Sequence, residues 1–202
     1  VSGSHGKTTT TSLIASIFAK AKLDPTIING GVINSLENSA KLGKSEWSIL
    51  ESDESDGSFV KVPSTYAVVT NIDREHMDYY KSLDDLKRHF IKFMKKVPSF
   101  GKTFICIDDK NNRDICKKSK IKNIITYGLN KNSNFKIKNV SFYKNKSFFD
   151  VEMCLPNKNR TILKKFEIPL IGLHNIKNAT AAIAVSYFIG ISLNILKLSL
   201  KN

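Results

Sequence analysis

The segment Gly3–Thr9 constrains the fold more than any other part of this sequence. It consists of Gly-Ser-His-Gly-Lys-Thr-Thr and leads directly into a helical pattern of apolar residues. Glycines allow a tight turn whose N–H groups point at an anion, while the lysine adds positive charge and the first threonine offers a hydroxyl to Mg²⁺. The loop is a shortened variant, because Val1 stands five positions before Gly6 where a glycine is usual. The segment predicts a nucleoside-triphosphate site, and the alternative is an ordinary turn at a helix start.

Polar residues follow two short apolar runs that we expect to be strands. The run Trp47–Leu50 leads into Glu51 and further acidic residues, and the run Tyr66–Val69 leads into a segment that contains His76. Open α/β sheets place their ligands at the carboxyl ends of strands. If these two strands are neighbours, Glu51 and His76 converge on one cation, for which Mg²⁺ is suited beside a phosphate loop. The alternatives are a solvated acidic turn and a surface histidine, and no His or Cys spacing typical of zinc occurs.

Apolar periodicity along the chain predicts the fold class. Helical patterns alternate with strand-like runs as far as Gly128, which is typical of an α/β fold with a mostly parallel sheet flanked by helices. Beyond Gly128 several strand-like runs follow without a helix, so we expect a small antiparallel subsheet at about 134–168. We predict helices at 7–22, 82–97, 111–120, 174–189 and 193–200. We predict strands at 26–28, 47–50, 66–69, 103–107, 123–127, 135–140, 142–143, 148–155 and 161–168.

The composition limits the partners that the chain is expected to have. Its 202 residues suffice for one sizeable core and carry a net charge of +14. Most of the basic residues are lysines spread along the chain, whereas nucleic-acid binders concentrate arginine and aromatic residues on one stripe. We therefore expect no nucleic-acid partner. No apolar run reaches the length of a membrane span, and we expect no membrane partner.

The three cysteines and the first residue bear on location and completeness. Cys106, Cys116 and Cys154 show no paired spacing, which fits a reducing compartment and predicts a cytoplasmic location. We expect Cys106 and Cys154 to be buried, because they lie in apolar strand-like runs, whereas Cys116 lies in a polar helix. No strand precedes the phosphate loop and the chain does not begin with Met. We therefore expect it to be a piece of a longer protein.

Two asparagines stand near the start of the helix predicted at 174–189. Asn175 and Asn178 are three positions apart and so share one helical face. Two side-chain amides on one face can hydrogen-bond an adenine edge. The alternative is that His174 or Asn175 caps the helix, and spacing alone leaves both interpretations open.

Four segments of this chain resemble the central ATP-binding domain of the Mur ligase family. In chain order they are GSHGKTTTT, ESDESDGSF, TNIDREHMDYY and GLHNIKNATAA. The histidine before Gly6, the doubled acidic segment and the His-Met-Asp sequence look most like the branch of the family that joins L-alanine to UDP-N-acetylmuramate. The resemblance covers essentially the whole chain. It implies a P-loop NTPase-like central domain over residues 1–202, with the UDP-binding and C-terminal ligase domains lying outside this sequence.

The resemblance also implies roles for individual residues. Lys7 is expected to contact the β- and γ-phosphates of ATP, while Thr8 and Glu51 hold one Mg²⁺ and His76 helps to hold a second. Lys7, Glu51 and His76 are thus the residues expected to support catalysis. Adenine is expected to contact Asn175 and Asn178. The ATP phosphates are expected to lie in a cradle formed by Gly3, Ser4, His5, Gly6, Lys7, Thr8 and Thr9.

The family's chemistry is an ATP-dependent amide ligation in peptidoglycan precursor synthesis. A substrate carboxylate attacks the γ-phosphate of ATP to form an acyl phosphate, and an amine then displaces phosphate. The resemblance implies UDP-N-acetylmuramate, L-alanine and ATP as substrates and Mg²⁺ as the cofactor. Two alternatives remain open, namely a relative that ligates a peptide, a folate or an amino-acid polymer, and a non-catalytic nucleotide- or nucleic-acid-binding module. The isolated chain is expected to bind nucleotide weakly and to catalyse nothing by itself.

Overall fold

A computed structural model describes residues 1–33 and 38–201 of the chain. The helices are α1 Lys7–Lys20, α2 Leu83–Lys95, α3 Lys110–Ser119, α4 Leu173–Phe188 and α5 Leu193–Leu200, with a 3₁₀ turn at Ser58–Lys61. The strands are β1 Thr26–Ile33, β2 Asn38–Lys41, β3 Ser48–Leu50, β4 Tyr66–Val69, β5 Lys102–Cys106, β6 Ile124–Gly128, β7 Phe135–Tyr143, β8 Lys146–Met153 and β9 Thr161–Ile168. Within the described residues, no helix has both the length and the apolar character needed to cross a membrane.

The strands are arranged in two sheets. A six-stranded sheet has the order β4-β5-β6-β7-β8-β9, in which β4 to β7 run parallel and β7, β8 and β9 pair antiparallel. A three-stranded sheet has the order β2-β1-β3, in which β1 pairs parallel with β3 and antiparallel with β2. The predicted α/β class is confirmed. The antiparallel strands predicted at about 134–168 extend the large sheet through the parallel β6–β7 pair, so they do not form a separate sheet.

Helices cover both faces of the large sheet, and side chains that alternate along its parallel strands contribute to the core on each face. On β4, Val68 belongs to one core and Val69 to the other. The first core joins the sheet to α1, α4 and α5 and contains Phe18 of α1. The second core joins it to α2, α3 and the 3₁₀ turn and contains Phe90 of α2. This two-sided burial holds the carboxyl ends of β4 and β5 in place at one edge.

The first two residues lie between the two sheets. Val1 makes backbone hydrogen bonds of 2.7 and 2.8 Å with Leu50 and Ser52, beside β3. Ser2 bridges in parallel to Val69 and makes backbone bonds of 2.9 and 3.1 Å along β4. The prediction that β3 and β4 are adjacent strands was therefore wrong. The backbone that leads into the phosphate loop occupies the position between them.

The element boundaries agree with the sequence patterns except around β1, β2 and β7. The strand predicted at 26–28 continues as β1 to Ile33, although Asn-Gly-Gly at 29–31 is typical of a turn. Strand β2 was not predicted, because its sequence Asn-Ser-Ala-Lys has no apolar alternation. Strand β7 is continuous where two shorter runs were expected, and a register irregularity lies between Lys138 and Ser141.

The three cysteines differ in burial. Cys106 is buried in β5 and Cys116 is partly buried in α3, and this burial raises the pKa of each thiol to about 11. Cys154 is exposed, so the expectation that it is buried was wrong. It follows the last residue of β8, where the alternation of buried and exposed positions no longer applies.

We expect a thiol reagent at pH 8 to modify Cys154 quickly and the other two cysteines only after unfolding. A thiol with a pKa near 11 is ionised to about one part in a thousand at pH 8, and the thiolate is the reacting form. Mass spectrometry of the labelled chain, with and without guanidinium chloride, measures the three rates. Fast labelling of a folded Cys154→Ser variant would contradict this assignment.

Candidate nucleotide-binding site

The segment after β4 holds the phosphate loop from one side. The Asn71 side chain accepts a hydrogen bond from the His5 N–H and donates one to the His5 carbonyl, both at 2.9 Å. The Ser4 N–H donates to the Asn71 carbonyl at 3.0 Å. Gly3 has a φ of +133°, and a Cβ there would lie 2.2 Å from Thr70 Oγ1, so only glycine fits. The Ser4 and His5 N–H groups are therefore engaged within the protein.

The open part of the loop is the start of α1. The helix begins at Lys7, and Gly6 precedes it in the left-handed conformation with a φ of 82° and without a side-chain cap. The first N–H groups of a helix have no intrahelical acceptor and carry partial positive charge. The N–H groups of Lys7, Thr8 and Thr9 are therefore positioned to bind an anion.

Lys7 is paired with carboxylates of the acidic segment. Its Nζ donates to Glu54 Oε2 at 2.9 Å and lies 3.3 Å from Asp53 Oδ2. Glu54 is fully buried, whereas the Asp53 side chain is about half exposed. Burial lowers the pKa of Lys7, but its hydrogen bond and charge interaction with Glu54, aided by Asp53, outweigh burial and hold the pKa above its ordinary value. The lysine is cationic at neutral pH.

Asp53 is also charged at neutral pH. Burial raises the pKa of Asp53, but hydrogen bonds from Ser55 and the positive charge of Lys7 outweigh that effect and bring the pKa down to about 2. The site therefore contains its own counter-charges for the lysine.

Thr8 and Glu51 meet at the same end of α1. The Thr8 hydroxyl donates to Glu51 Oε1 at 3.0 Å, and the Gly30 N–H donates to Glu51 Oε2 at 2.7 Å. A Cβ on Gly30 would lie 2.7 Å from Glu51 Oε1, so β1 approaches this carboxylate as closely as glycine allows. The sequence-predicted pair of Mg²⁺ ligands, Thr8 and Glu51, is thus brought into contact.

His76 lies beside Glu54 and Glu75. Its Nε2 is 3.9 Å from Glu54 Oε1, and one donor atom each of Glu54, Glu75 and His76 lie within 4.8 Å of one another. From the sequence we expected His76 and Glu51 to bind the same cation. Glu51 does not belong to this group of three, and a shared cation stays a prediction.

The two asparagines of α4 lie in different surroundings. Asn178 is buried, and its Oδ1 would be 2.6 Å from a Cβ on Gly6, so it packs directly against the phosphate loop. Asn175 is only partly buried and donates to the Ile171 carbonyl at 2.9 Å. Contact of either residue with adenine stays a prediction.

Sequence reasoning missed three residues that shape this site, namely Glu54, Asn71 and Gly30. The sequence favours Glu51 over Glu54 as the Mg²⁺ ligand, because Glu51 directly follows the apolar run whereas the later acidic residues fit a loop. The spacing of three between the two glutamates gives no indication of which one is buried. Asn71 lies two positions beyond the strand predicted at 66–69, and this place at a strand end was the available signal for its contact with the loop.

A mostly parallel sheet with a glycine-containing loop leading into α1 defines an α/β protein with a phosphate-loop type of site. A profile of the Mur ligase middle domain matches residues 1–186. The chain belongs to the Mur ligase middle domain family.

Two named relatives are enzymes of one kind. The chain is 65% identical over 201 residues to the UDP-N-acetylmuramate–L-alanine ligase of Pelagibacter ubique, covering 100% of this chain and 43% of the relative. It is 45% identical over 193 residues to the ligase of that name from Rhizobium etli, covering 95% of this chain and 41% of the relative. The chain thus spans less than half the length of these relatives.

Solved structures share the fold. The UDP-N-acetylmuramate-alanine ligase of Thermotoga maritima matches with a TM-score of 0.83 at 24% identity, over 99% of this chain and 43% of that one. The UDP-N-acetylmuramate:L-alanyl-gamma-D-glutamyl-meso-diaminopimelate ligase of Neisseria meningitides matches with a TM-score of 0.83 at 25% identity, over 98% of this chain and 63% of that one. At these identities the structural similarity establishes a shared fold. It does not distinguish between the substrates of the two enzymes.

Proposed function

We propose that this chain is the nucleotide-binding part of an ATP-dependent amide ligase that joins L-alanine to UDP-N-acetylmuramate. The observation that carries the proposal is the 65% identity, along the whole chain, to a ligase of that name. Because the relatives are more than twice as long as the matched segment, the UDP-sugar and the amino acid are proposed to bind mainly outside these 202 residues.

The arrangement of charges supports a reaction at a triphosphate. In the proposed ligation an anionic carboxylate approaches an anionic phosphate, so positive charge fixed at the transferring group lowers the barrier. Lys7 and the N-terminus of α1 supply such charge at one place. In the present structure Glu54 holds Lys7, so contact with a phosphate requires the ammonium to exchange a carboxylate oxygen for a phosphate oxygen.

Mg²⁺ is proposed to bind at Thr8 and Glu51. Their hydroxyl and carboxylate oxygens lie 3.0 Å apart, and oxygen atoms are the ligands that Mg²⁺ prefers. When bound, Mg²⁺ neutralises phosphate charge and polarises the group that is attacked. The N–H of Gly30 orients the carboxylate from its other side. In this proposal Lys7, Glu51 and His76 support catalysis. Asn175 and Asn178 contact the adenine.

A chimera tests the proposal. We expect this chain, put in place of the matching 201 residues of the Pelagibacter ubique ligase, to give an enzyme that forms the L-alanine amide and releases phosphate. Amide formation should require ATP, Mg²⁺, UDP-N-acetylmuramate and L-alanine together, because ATP supplies the phosphoryl group of the acyl phosphate and the two substrates supply the acyl group and the amine of the amide. The parent ligase is the control. A chimera that folds and binds UDP-N-acetylmuramate but releases no phosphate would contradict the proposal.

A peptide-adding ligase is the second candidate, because the Neisseria meningitides enzyme shares this fold. The identity of 65% to an L-alanine ligase, against 25% to that enzyme, favours L-alanine. Product analysis with UDP-N-acetylmuramate and either L-alanine or a tripeptide, on a protein that carries this chain in its natural context, separates the two.

A further inference from the structure

The segment Thr70–Asp73 lies between the phosphate loop and the start of α3. On the loop side, the Thr70 hydroxyl donates to the His5 carbonyl at 2.7 Å, and the Asp73 N–H donates to Ser4 Oγ at 2.8 Å. Hydrogen bonds from both ends of the segment therefore reach the loop. Whatever fixes the segment in place also fixes the loop.

Two asparagines in the first turn of α3 hold the same segment from the other side. Asn112 Nδ2 donates to the Thr70 carbonyl at 3.2 Å and to the Cys106 carbonyl, at the end of β5, at 2.9 Å. Asn111 Nδ2 donates to the Ile72 carbonyl at 2.6 Å. Successive carbonyls of extended backbone point to opposite sides, and the carbonyl between these two accepts from the phosphate loop.

The burial of Asn112 indicates that its amide does more than fill space in the core. The residue is 0% exposed, and its Oδ1 has no hydrogen-bond partner within the described residues. A buried polar atom without a partner lowers stability. An aliphatic side chain, such as that of Ile115 one turn later, has no such atom. What the amide adds is a connection between the carboxyl ends of β4 and β5.

The first turn of α3 is itself fixed. Asp109 caps the helix by accepting from the Asn112 N–H at 2.7 Å. Arg113 Nη1 donates to the carbonyls of Ile107 and Asp108 at 2.6 and 2.8 Å. The next turn of the helix packs into the second core. The two asparagines therefore extend from a helix start whose own position is set by the strands behind it.

We propose that Asn111 and Asn112 are positioning residues for nucleotide binding, which act through the segment Thr70–Asp73. The asparagines place the segment, and the segment places the loop at Ser4 and His5. The N–H groups at the start of α1 are thereby held ready for the phosphates, so that binding requires little rearrangement. The inference rests on the proposed function for the identity of the nucleotide, but not for the connection between α3 and the loop.

Hydrogen–deuterium exchange of the whole chain, followed by NMR, tests the connection. The Ser4 and His5 N–H groups both donate to Asn71, so their exchange reports whether the segment still holds the loop. In Asn112→Leu, which is similar in size but lacks the amide, both should exchange at least about tenfold faster, as expected for loss of two hydrogen bonds. Asn111→Ala removes one bond at a partly buried position and should give a smaller effect in the same direction.

Asn123→Leu is the matched control. Asn123 Nδ2 also joins two carbonyls, those of Pro98 at 3.0 Å and Gly101 at 3.1 Å. It lies directly before β6, at the opposite end of the parallel strands from the phosphate loop. Its replacement should lower the melting temperature but should leave the exchange of the two loop N–H groups unchanged.

Kinetics of the chimeric ligase test the effect on the nucleotide. Asn112→Leu should raise the KM for ATP by about tenfold, because the phosphate loop is displaced from its binding geometry. The KM for L-alanine should stay unchanged, since the amino acid is proposed to bind mainly outside this chain. Asn123→Leu should change neither constant.

Thermal melts verify that each variant is folded, and if Asn112→Leu does not fold, Asn111→Ala serves in its place. Unchanged exchange of the loop N–H groups in a folded variant overturns the inference. Equally fast exchange in Asn123→Leu also overturns it, because the effect would then be a general loosening. Faster exchange with an unchanged KM for ATP rejects the role in nucleotide binding. Faster exchange in the chain, together with a chimera that is inactive without any of these substitutions, would reject the ligase assignment alone.

Discussion

Lys7→Met is expected to destabilise the chain by about 3–5 kcal/mol, which corresponds to a fall in melting temperature of about 6–20 °C for a domain of this size. The reason is that Glu54 is fully buried and would lose the only cation that donates a hydrogen bond to it within the described residues. A buried carboxylate left without a counter-charge is among the most costly single changes a fold can suffer. Thermal denaturation followed by circular dichroism measures the effect.

Lys87→Met is the matched control. The Lys87 side chain is exposed to the same extent as that of Lys7, 10%, but its partner Asp114 is 41% exposed and lies 3.0 Å away. Removing Lys87 leaves a carboxylate that water can solvate, so the loss should be about 1 kcal/mol or less. The double variant Lys7→Met, Glu54→Gln should recover most of the lost stability, because the buried charge is gone. Equal melting temperatures for Lys7→Met and Lys87→Met would contradict the importance of this buried pair.

The double variant also separates stability from function. It should fold but should not bind a fluorescent ATP analogue, because the ammonium proposed to contact the phosphates is missing. In the chimeric ligase, Lys7→Ala should lower turnover by on the order of 10²–10³-fold, as expected for loss of one preorganised charge-stabilising donor. Near-normal turnover would remove Lys7 from the proposed catalytic residues.

Gly30→Ala is expected to raise the Mg²⁺ concentration needed for half-maximal binding of the ATP analogue by about 10- to 100-fold, the usual effect of disturbing a group that orients a metal ligand. The added methyl group would lie 2.7 Å from Glu51 Oε1, so the carboxylate must turn away from Thr8. Glu51→Ala removes the same ligand directly and should shift the Mg²⁺ midpoint in the same direction.

Ile28→Ala is the control for disturbance of β1, since Ile28 lies on the same strand and is 51% exposed. It should leave the Mg²⁺ midpoint unchanged. If Gly30→Ala also leaves the midpoint unchanged while the analogue still binds, Glu51 is not a Mg²⁺ ligand.

The sequence predicted the phosphate loop, its helix and the α/β order, because these depend on local patterns. Glycine and Lys-Thr spacing, helical periodicity and apolar runs are all properties of contiguous residues. The position of Glu51 at a strand end was predicted in the same way, because Glu51 directly continues an apolar run. The pairing of Glu51 with Thr8 was implied by the family resemblance, and the structure brings the two side chains into contact.

The sequence did not predict the features that depend on pairing between segments far apart in the chain. That Ser2 lies between β3 and β4 follows from backbone pairing of segments 67 residues apart, for which no local pattern exists. Consequently His76 was expected beside Glu51, whereas it faces Glu54. Similarly, the Asn-Gly-Gly segment predicts a turn, and only the approach of Glu51 explains why glycine is used within a continuing strand.

The pairing of Lys7 with a buried carboxylate has a consequence for ligand selection. Any anion that approaches the loop competes with Glu54 for the Lys7 ammonium. The free energy of binding therefore gains only the difference between the attraction of the ammonium to the anion and its attraction to Glu54. We expect a small anion such as chloride or sulfate to bring too little charge to displace Glu54 from the ammonium. A polyphosphate with its own metal ion would compensate the displaced carboxylate as it binds the lysine, so we expect the loop to discriminate against simple salts.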